Sequence, residues 1–398
     1  MSLIGQSVTV IGAGVAGLAV ARALALRGAS VTVLEQADAI REVGAGLQIS
    51  PNGAAVLRAL GLQEALDAVS IRAQAVRLVD GPTGEEVTRL DLARLRPGQG
   101  YHFLHRADLI TLLLRGAQEA GVTLRLLSRV QSVELAGRPS VTLEGGETLQ
   151  PALLIGADGL HSKVRPALNG AEQPFFTGQV AWRAVIPCEQ DAAPVVEVHM
   201  GPGRHLVSYP LRGGTLRNIV AVEERAKWAE ESWTLRDDSM DMRLAFAGFS
   251  PRVRGWLDQV QDPWLWGLFR HRVAAIWGRA MGQGGVAILG DAAHPTLPFL
   301  AQGASMGLED AWVLADTLAR HDTVAAALAA YQSVRKPRTT RIVAAASANA
   351  RAYHLSGLPR LVGHAGLRVL GRLFPDAMLS RFDWLYDHDV TLAAGDVS

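Results

Sequence analysis

Residues 8–35 read VTVIGAGVAGLAVARALALRGASVTVLE, and this stretch decides the fold. A short β-branched run (8–11) enters a glycine turn, and an apolar segment at helical spacing follows. A second β-branched run (31–34) then ends in a carboxylate, Glu35. Strand, Gly-x-Gly-x-x-Gly, helix, strand and acid in this order make up the dinucleotide-binding pattern. Gly12 permits the tight turn, Gly14 lets backbone amides approach a pyrophosphate, and Gly17 lets the helix pack close to the strand. Phosphates then sit at the positive end of that helix. Glu35, about 20 residues past the glycines, is placed to accept hydrogen bonds from a ribose hydroxyl pair.

The whole chain narrows the choices. Its 398 residues, 49% of them hydrophobic, can build two or three domains with real cores. Thirty-nine basic residues against thirty-eight acidic ones leave a net charge of +1, which gives no electrostatic case for nucleic acid. The single cysteine, Cys188, rules out an intramolecular disulfide and a cysteine-rich metal site, and it is expected as a small buried hydrophobe. No metal site is expected. The apolar N-terminus lacks a basic leader, and no uncharged run is long enough to span a membrane. The expectation is a soluble cytoplasmic protein.

Outward from 8–35, the segment 44–62 carries glycines at 44 and 46, a Pro51–Asn52 breaker and a short helix ended by Gly61. The glycines at 44 and 46 either let backbone pass close to something flat or, equally, punctuate a loop. Residues 74–91 alternate around a Pro82–Gly84 turn, which predicts a hairpin that interrupts the dinucleotide fold early. A helix is expected over 107–121, with Arg106 at its start. A cation is poorly placed there for the helix dipole, so Arg106 is aimed at a phosphate or ring edge. In LLIGADGLHSKVR (153–165), a buried strand runs into Gly156, Asp158 and Gly159. A second strand-to-glycine turn suggests another segment touching the same ligand.

Residues 175–225 read as strands separated by proline and glycine. In RHLVSYPL the period of two puts His205, Val207 and Tyr209 on one face, with Leu206 and Ser208 on the other. Residues 226–280 are expected to be mainly helical, with six tryptophans (Trp228, Trp233, Trp256, Trp264, Trp266, Trp277) mostly in the core. The second decisive stretch is 286–319, where a buried strand ends in Gly290–Asp291. A loop with Pro295 and Pro298 then leads through Gln302 into a long helix. Asp291 ends a strand, where α/β sheets place ligand contacts. The amides of Gly303 and Ala304 at the helix start present an anion-stabilising geometry. From 336 onward the chain reads as helical. LPRLVGHAGLRVLGRLF is amphipathic and basic, suited to a membrane surface or, more simply, to packing on the dinucleotide domain or a second subunit.

With these three stretches in place, the sequence resembles the single-component (group A) flavoprotein aromatic hydroxylases over nearly its whole length. It is most similar to the salicylate, 3-hydroxybenzoate and 6-hydroxynicotinate hydroxylase branch. The resemblance rests on Gly12-x-Gly14-x-x-Gly17 with Glu35, on Gly156-Ala-Asp158-Gly159, and on Gly290-Asp291-Ala-Ala-His294-Pro295. It implies an α/β fold: a Rossmann-like FAD-binding domain with a discontinuous β-sheet substrate domain and C-terminal helices. On that reading 1–73, 101–174 and 281–335 form the FAD-binding domain. The hairpin 74–100 and the segment 175–280 form the substrate domain, and 336–398 is a C-terminal helical segment.

The resemblance further implies that Gly12, Gly14, Ala16, Gly17 and Glu35 bind the ADP half of FAD, with Gly46 and Arg106 also at the cofactor. Asp158 would serve FAD and NAD(P)H recognition, and Asp291 the ribityl or pyrophosphate region. Pro298, Gly303 and Ala304 would lie along the isoalloxazine. The implied reaction takes hydride from NADH or NADPH and inserts one oxygen of O2 into a small hydroxylated or carboxylated aromatic or N-heteroaromatic substrate through a flavin C4a-hydroperoxide. The assembly would be a monomer or homodimer.

Attack on the ring is favoured when a phenol is deprotonated, so a base or hydrogen-bond partner is useful. Histidines that some relatives carry in the loop before the long helix and near Gln48 are absent here, and Phe299 occupies the former stretch. His205, Tyr209 and Gln48 remain as candidates, although a lone histidine on a strand is more often structural. Trp182, Arg183, Pro298 and Phe299 are expected to line the pocket, with Arg183 either a carboxylate anchor or, equally, a surface residue. His294 is expected to shape its loop. Three rival readings stay open: a related flavoprotein acting on a urate-like purine, one epoxidising an alkene, and a flavin-binding redox protein without hydroxylase activity.

Overall fold

The computed structural model describes residues 2–40, 45–225, 236–282 and 284–392; Gly44, Trp228 and Trp233 lie outside the described residues. The stretch 8–35 folds as its pattern requires. Val8, Val10 and Ile11 are buried in the strand Ser7–Ile11, and Val31, Val33 and Leu34 in Ser30–Leu34. Between them the helix Val15–Ala25 is alanine, leucine and valine apart from Gly17 and Arg22. It is buried almost all round, between the sheet and the helix Gly303–Arg320. Alanine gives up no side-chain entropy there, and each fully buried Leu18 or Val20 contributes about 1.5–3 kcal/mol. Arg22 survives in this setting because its guanidinium donates to the carbonyls of Leu60, at 2.8 Å, and Gly116.

These strands belong to a six-stranded sheet in the order Gly278–Met281, Gly284–Ile288, Leu153–Gly156, Ser7–Ile11, Ser30–Leu34, Thr123–Arg125. All run parallel except the edge strand Gly278–Met281. Register aligns the strand ends. Ile11 stands opposite both Leu34 and Gly156, and Gly156 stands opposite Ile288. The turns at 12–17, 156–159 and 290–291 therefore leave the sheet at one edge, its carboxyl end, where open α/β sheets bind ligands. The three motif stretches converge.

A second sheet of seven strands runs Trp264–Arg270, Phe175–Pro187, Leu216–Glu224, Arg204–Leu211, Val195–Gly201, Ala75–Asp80, Glu86–Asp91. The hairpin expected at 74–91 thus joins the strands expected at 175–225 across a long sequence gap. One face of this sheet looks into the cleft. The other packs Trp182, Leu206, Ile219 and Ala221 against the helices Ser239–Ala245 and Pro251–Leu257.

Three expectations are corrected. The described part of 226–280 is not mainly helical, because 264–270 is a strand hydrogen-bonded along 175–183. Its short run of aromatic and apolar residues, WLWGLF, has the composition of a strand. Cys188 is half-buried rather than buried, beyond the end of the strand Phe175–Pro187. One helix runs Val324–Tyr353 straight through Pro337, spanning position 336. Arg335 and Arg338 flank that proline and are anchored on Glu309 and Asp310, which holds the helix together where a ladder bond is lost. The helix Gly357–Leu373 packs on the sheet edge at Glu86–Asp91, not on the dinucleotide-binding sheet. Its Arg360 and His364 reach Asp80, while Leu358, Leu361 and Val362 stay exposed.

Candidate functional site

Between the two sheets lies a cavity of about 620 Å³. From the parallel sheet it is lined by Gly14, Ala16, Gly159, Gly290 and Asp291, and from the start of the helix Gly303–Arg320 by Gly303 and Ala304. The opposite wall carries Ala181, Arg183, His205, Val207, Tyr209, Val220 and Val222, the cleft-facing positions of three adjacent strands. Gly46, Gln48 and Arg106 close one side, and Pro298 and Phe299 another.

The glycine cradle fits a dinucleotide. At Gly14 and Gly159 a Cβ would meet no protein atom within 4 Å, so both leave open room beside the cavity. Gly12 and Gly17 serve a different purpose. Gly12 sits at φ +99°, and its Cβ would lie 2.5 Å from the Ala157 carbonyl oxygen. A Cβ on Gly17 would lie 1.9 Å from the Gly12 carbonyl oxygen. Turn and helix can approach this closely only without side chains. Glu35 accepts from the amides of Ala13 at 2.8 Å and Ala37 at 3.0 Å, which ties its carboxylate to the turn.

Asp158 does not line the cavity. Its carboxylate accepts from Ser162 Oγ at 2.6 Å and from the amides of Lys163 at 2.7 Å and Val164 at 3.2 Å, so it fixes the 156–164 turn. Asp291 does open onto the cavity. Desolvation pushes its carboxyl up, against the pull of His294, Arg106 and His271. His294 is buried, with Nε2 paired to Asp310, and it shapes the loop.

On the substrate-sheet wall, the Arg183 guanidinium donates from Nη2 to the Gly46 carbonyl at 2.5 Å and stacks on Trp266, 4.6 Å from the ring centroid. Its Nε has no partner. Burial, with Arg106 nearby, pulls it down to about 10, which leaves it charged at neutral pH. Tyr209 is pushed up to about 12 by desolvation, in spite of Arg183, Gln48 and Asn218. It is therefore a neutral donor rather than a base. Tyr101 donates to Gln48 Oε1 at 2.7 Å. His205 is buried against Phe299 and Tyr353, and its Nδ1 lies 2.7 Å from His354 Nε2.

Trp182 does not line the cavity. Its neighbour Arg183 does, and adjacent strand residues face opposite ways. The Trp182 indole instead donates to Asp237 at 2.7 Å and packs on Phe246. Residues not anticipated from sequence include Tyr101, Trp266, Tyr353 and Tyr386, all on the cavity wall. Behind the loop lies a buried network. Asp310 accepts from the Gly290 amide at 3.0 Å and from Arg335 Nε at 2.8 Å. Glu309 pairs with Arg335 and accepts from Arg338 at 2.8 Å and Asn52 at 2.6 Å. Two adjacent acids in the apolar run 304–315 are the signal that could have revealed it.

Residues 6–346 match the family described as FAD binding domain. The chain is 35% identical to 3-hydroxybenzoate 6-hydroxylase of Klebsiella oxytoca, over 89% of this chain and 90% of that one. It is 32% identical to 3-amino-4-hydroxybenzoate 2-monooxygenase PtnB3 of Streptomyces platensis, over 95% of each. The fold matches Klebsiella pneumoniae HpxO complexed with FAD and uric acid at a TM-score of 0.81, with 26% identity over 94% of this chain and 97% of that one. Cradle, converging turns and full-length likeness agree: the chain belongs to the FAD binding domain family, as a group A FAD-dependent aromatic monooxygenase with NAD(P)H as co-substrate.

Proposed function

We propose that the substrate is a small aromatic ring bearing both a phenolic hydroxyl and a carboxylate, a hydroxybenzoate or its amino derivative. The observation that carries this is the half-buried, charged Arg183 on the cavity wall, beside His205 and Tyr209. A desolvated guanidinium facing an apolar cavity favours a carboxylate partner, which a substrate carboxylate supplies. Tyr209 donates a hydrogen bond to the ring hydroxyl oxygen, and His205 takes its proton. Apolar Val207, Val220, Val222 and Phe299 hold the ring and exclude water.

FAD would be held by the backbone at Gly14 and Gly159, by Glu35, Arg106 and Asp291, and along its ring by Pro298 and the amides of Gly303 and Ala304. Gly12, Ala16, Gly17, Gly46 and Asp158 shape that cradle. Bound there, the cofactor supplies redox chemistry with NAD(P)H and O2 that no side chain can. The helix-start amides at 303 and 304 would stabilise negative charge on a cofactor bound beside them. The same reading assigns 1–73, 101–174 and 281–335 to the FAD-binding domain, 74–100 and 175–280 to the substrate domain, and the remainder to C-terminal helices. It also takes the enzyme as cytoplasmic, a monomer or homodimer; among the described residues no helix is long and apolar enough to cross a membrane.

The test is a substrate panel scored by hydroxylated product, since uncoupled flavin oxidation also consumes NADH. Hydroxybenzoates and aminohydroxybenzoates are expected to yield product. Product from urate and from no benzoate would overturn the proposal in favour of a purine substrate.

A further inference from the structure

We propose that Glu224 and His354 continue His205 into a three-membered proton path from the cavity to solvent. The path rests on the hydroxylase function proposed for the cavity and assigns positioning roles to two residues outside it. His354 Nδ1 lies 2.7 Å from Glu224 Oε1, and His354 Nε2 lies 2.7 Å from His205 Nδ1. Glu224 is half-exposed, whereas both rings are buried. The path starts at the cavity wall and ends in water.

The order of donors is set by the carboxylate. An ionised Glu224 can only accept, so His354 carries its proton on Nδ1 and presents a lone pair at Nε2. His205 must then donate from Nδ1, which leaves its Nε2 unprotonated as the ring nitrogen for the substrate. An acid at the surface thus sets the tautomer of a residue two places along the path.

Chain topology brings the three together. Glu224 ends the strand Leu216–Glu224, and His205 lies on its neighbour Arg204–Leu211. His354 is the C-cap of the 30-residue helix Val324–Tyr353, where the helix dipole favours a passing positive charge. Arg204 is the cation facing His354, and Glu224 the opposing anion. Tyr353 and Phe299, from the helix and the loop, flank His205 without charge.

In the transfer, the substrate O–H bond breaks and an N–H bond forms at His205 Nε2. The proton on His205 Nδ1 moves to His354 Nε2, and that on His354 Nδ1 moves to Glu224, which releases it to water. Phenolate stays in the cavity and nothing is oxidised. The reverse passage, when product takes a proton back, restores the starting tautomers.

The experiment mixes the oxidised, FAD-loaded enzyme with 3-hydroxy-4-nitrobenzoate, whose phenolate is coloured, without NAD(P)H. Phenolate formation and proton release to an indicator dye are followed by stopped flow across pH. Glu224→Gln and His354→Gln are expected to slow both signals about tenfold or more and to shift their pH profile, with probe affinity changed by less than about threefold. Glu224→Asp is expected to restore most of the rate. Glu224 is half-exposed, so its variants carry the test if His354→Gln fails to fold. Wild-type rates and pH profile in Glu224→Gln overturn the path alone. A wild-type enzyme that neither deprotonates the probe nor hydroxylates any phenol overturns the path together with the substrate proposal.

Discussion

In the proposed site, Arg183 and Tyr209 would make separable demands on a substrate. On that proposal, removing the Arg183 charge takes away the carboxylate's partner together with the guanidinium that stacks on Trp266. Arg183→Gln is expected to raise KM for a hydroxybenzoate roughly 10–100-fold, and for the corresponding phenol without a carboxylate only a few-fold. Equal losses for both would show that Arg183 serves the cofactor instead. Tyr209, held near 12, stays protonated throughout the working range, so Tyr209→Phe is expected to lower kcat/KM without moving the pH profile. His205→Asn is expected to lower kcat about 10²–10⁴-fold at neutral pH. Activity should recover as pH rises past the substrate's own pKa, because the phenol then arrives without its proton. Steady-state pH profiles of the two variants separate donor from base. At this scale the sequence is legible where period-two alternation is applied strictly. His205, Val207 and Tyr209 share the cleft face as that rule requires. The same rule forbids Trp182 and Arg183 from sharing one, so only Arg183 reaches the cavity.

Elements were legible where a motif brought its own turn chemistry. The units at 8–35, 153–165 and 286–319 each carry glycines whose φ or close contacts nothing else satisfies, so their course and mutual approach came from local rules. The strand Trp264–Arg270 was not legible, because its identity comes from pairing with residues roughly 80 to 95 positions earlier. Nor was the link between the helices Gly303–Arg320 and Val324–Tyr353. Arg335 is fully buried between Glu309 and Asp310, which in turn hold Asn52 and the Gly290 amide. Truncating one partner of such a cluster leaves uncompensated charge, worth about 3–5 kcal/mol. Arg335→Met is therefore expected to lose that much stability in urea unfolding. It should also weaken FAD retention, because the Gly290 turn and the Pro51–Ala59 helix start both lean on the network. Flavin release on dilution, read by fluorescence, checks the second effect. Normal retention in a destabilised variant would confine the network to packing.

Across the whole molecule, the buried titratable groups set how stability responds to acid. His102, His199, His205, His354 and His364 are all held below the ordinary histidine range, in each case chiefly by burial. An unfolded chain protonates them near pH 6.5, whereas the folded chain resists. Below that pH the unfolded state binds more protons, so stability falls with pH by up to about 1.4 kcal/mol per unit for each excluded proton. The carboxylates act in a lower window. Asp310 is pulled down to about 2 by His294 and Arg335 against its desolvation, and Glu309 is lowered by Arg335 and Arg338. Their contribution is complete above the unfolded value of about 4 and is lost as pH drops toward 2. Two acid steps are therefore expected, the first beginning near neutrality. The Tm of the FAD-loaded enzyme should fall by roughly 5 °C or more between pH 7 and pH 5. His199, buried beside Glu197 and away from the cavity, gives the control. His199→Gln should flatten that fall whatever it does to Tm at pH 7. A Tm constant from pH 7 to pH 5 would mean that the histidines charge in place against Glu197, Glu224 and Asp80, and that pairing rather than burial governs them.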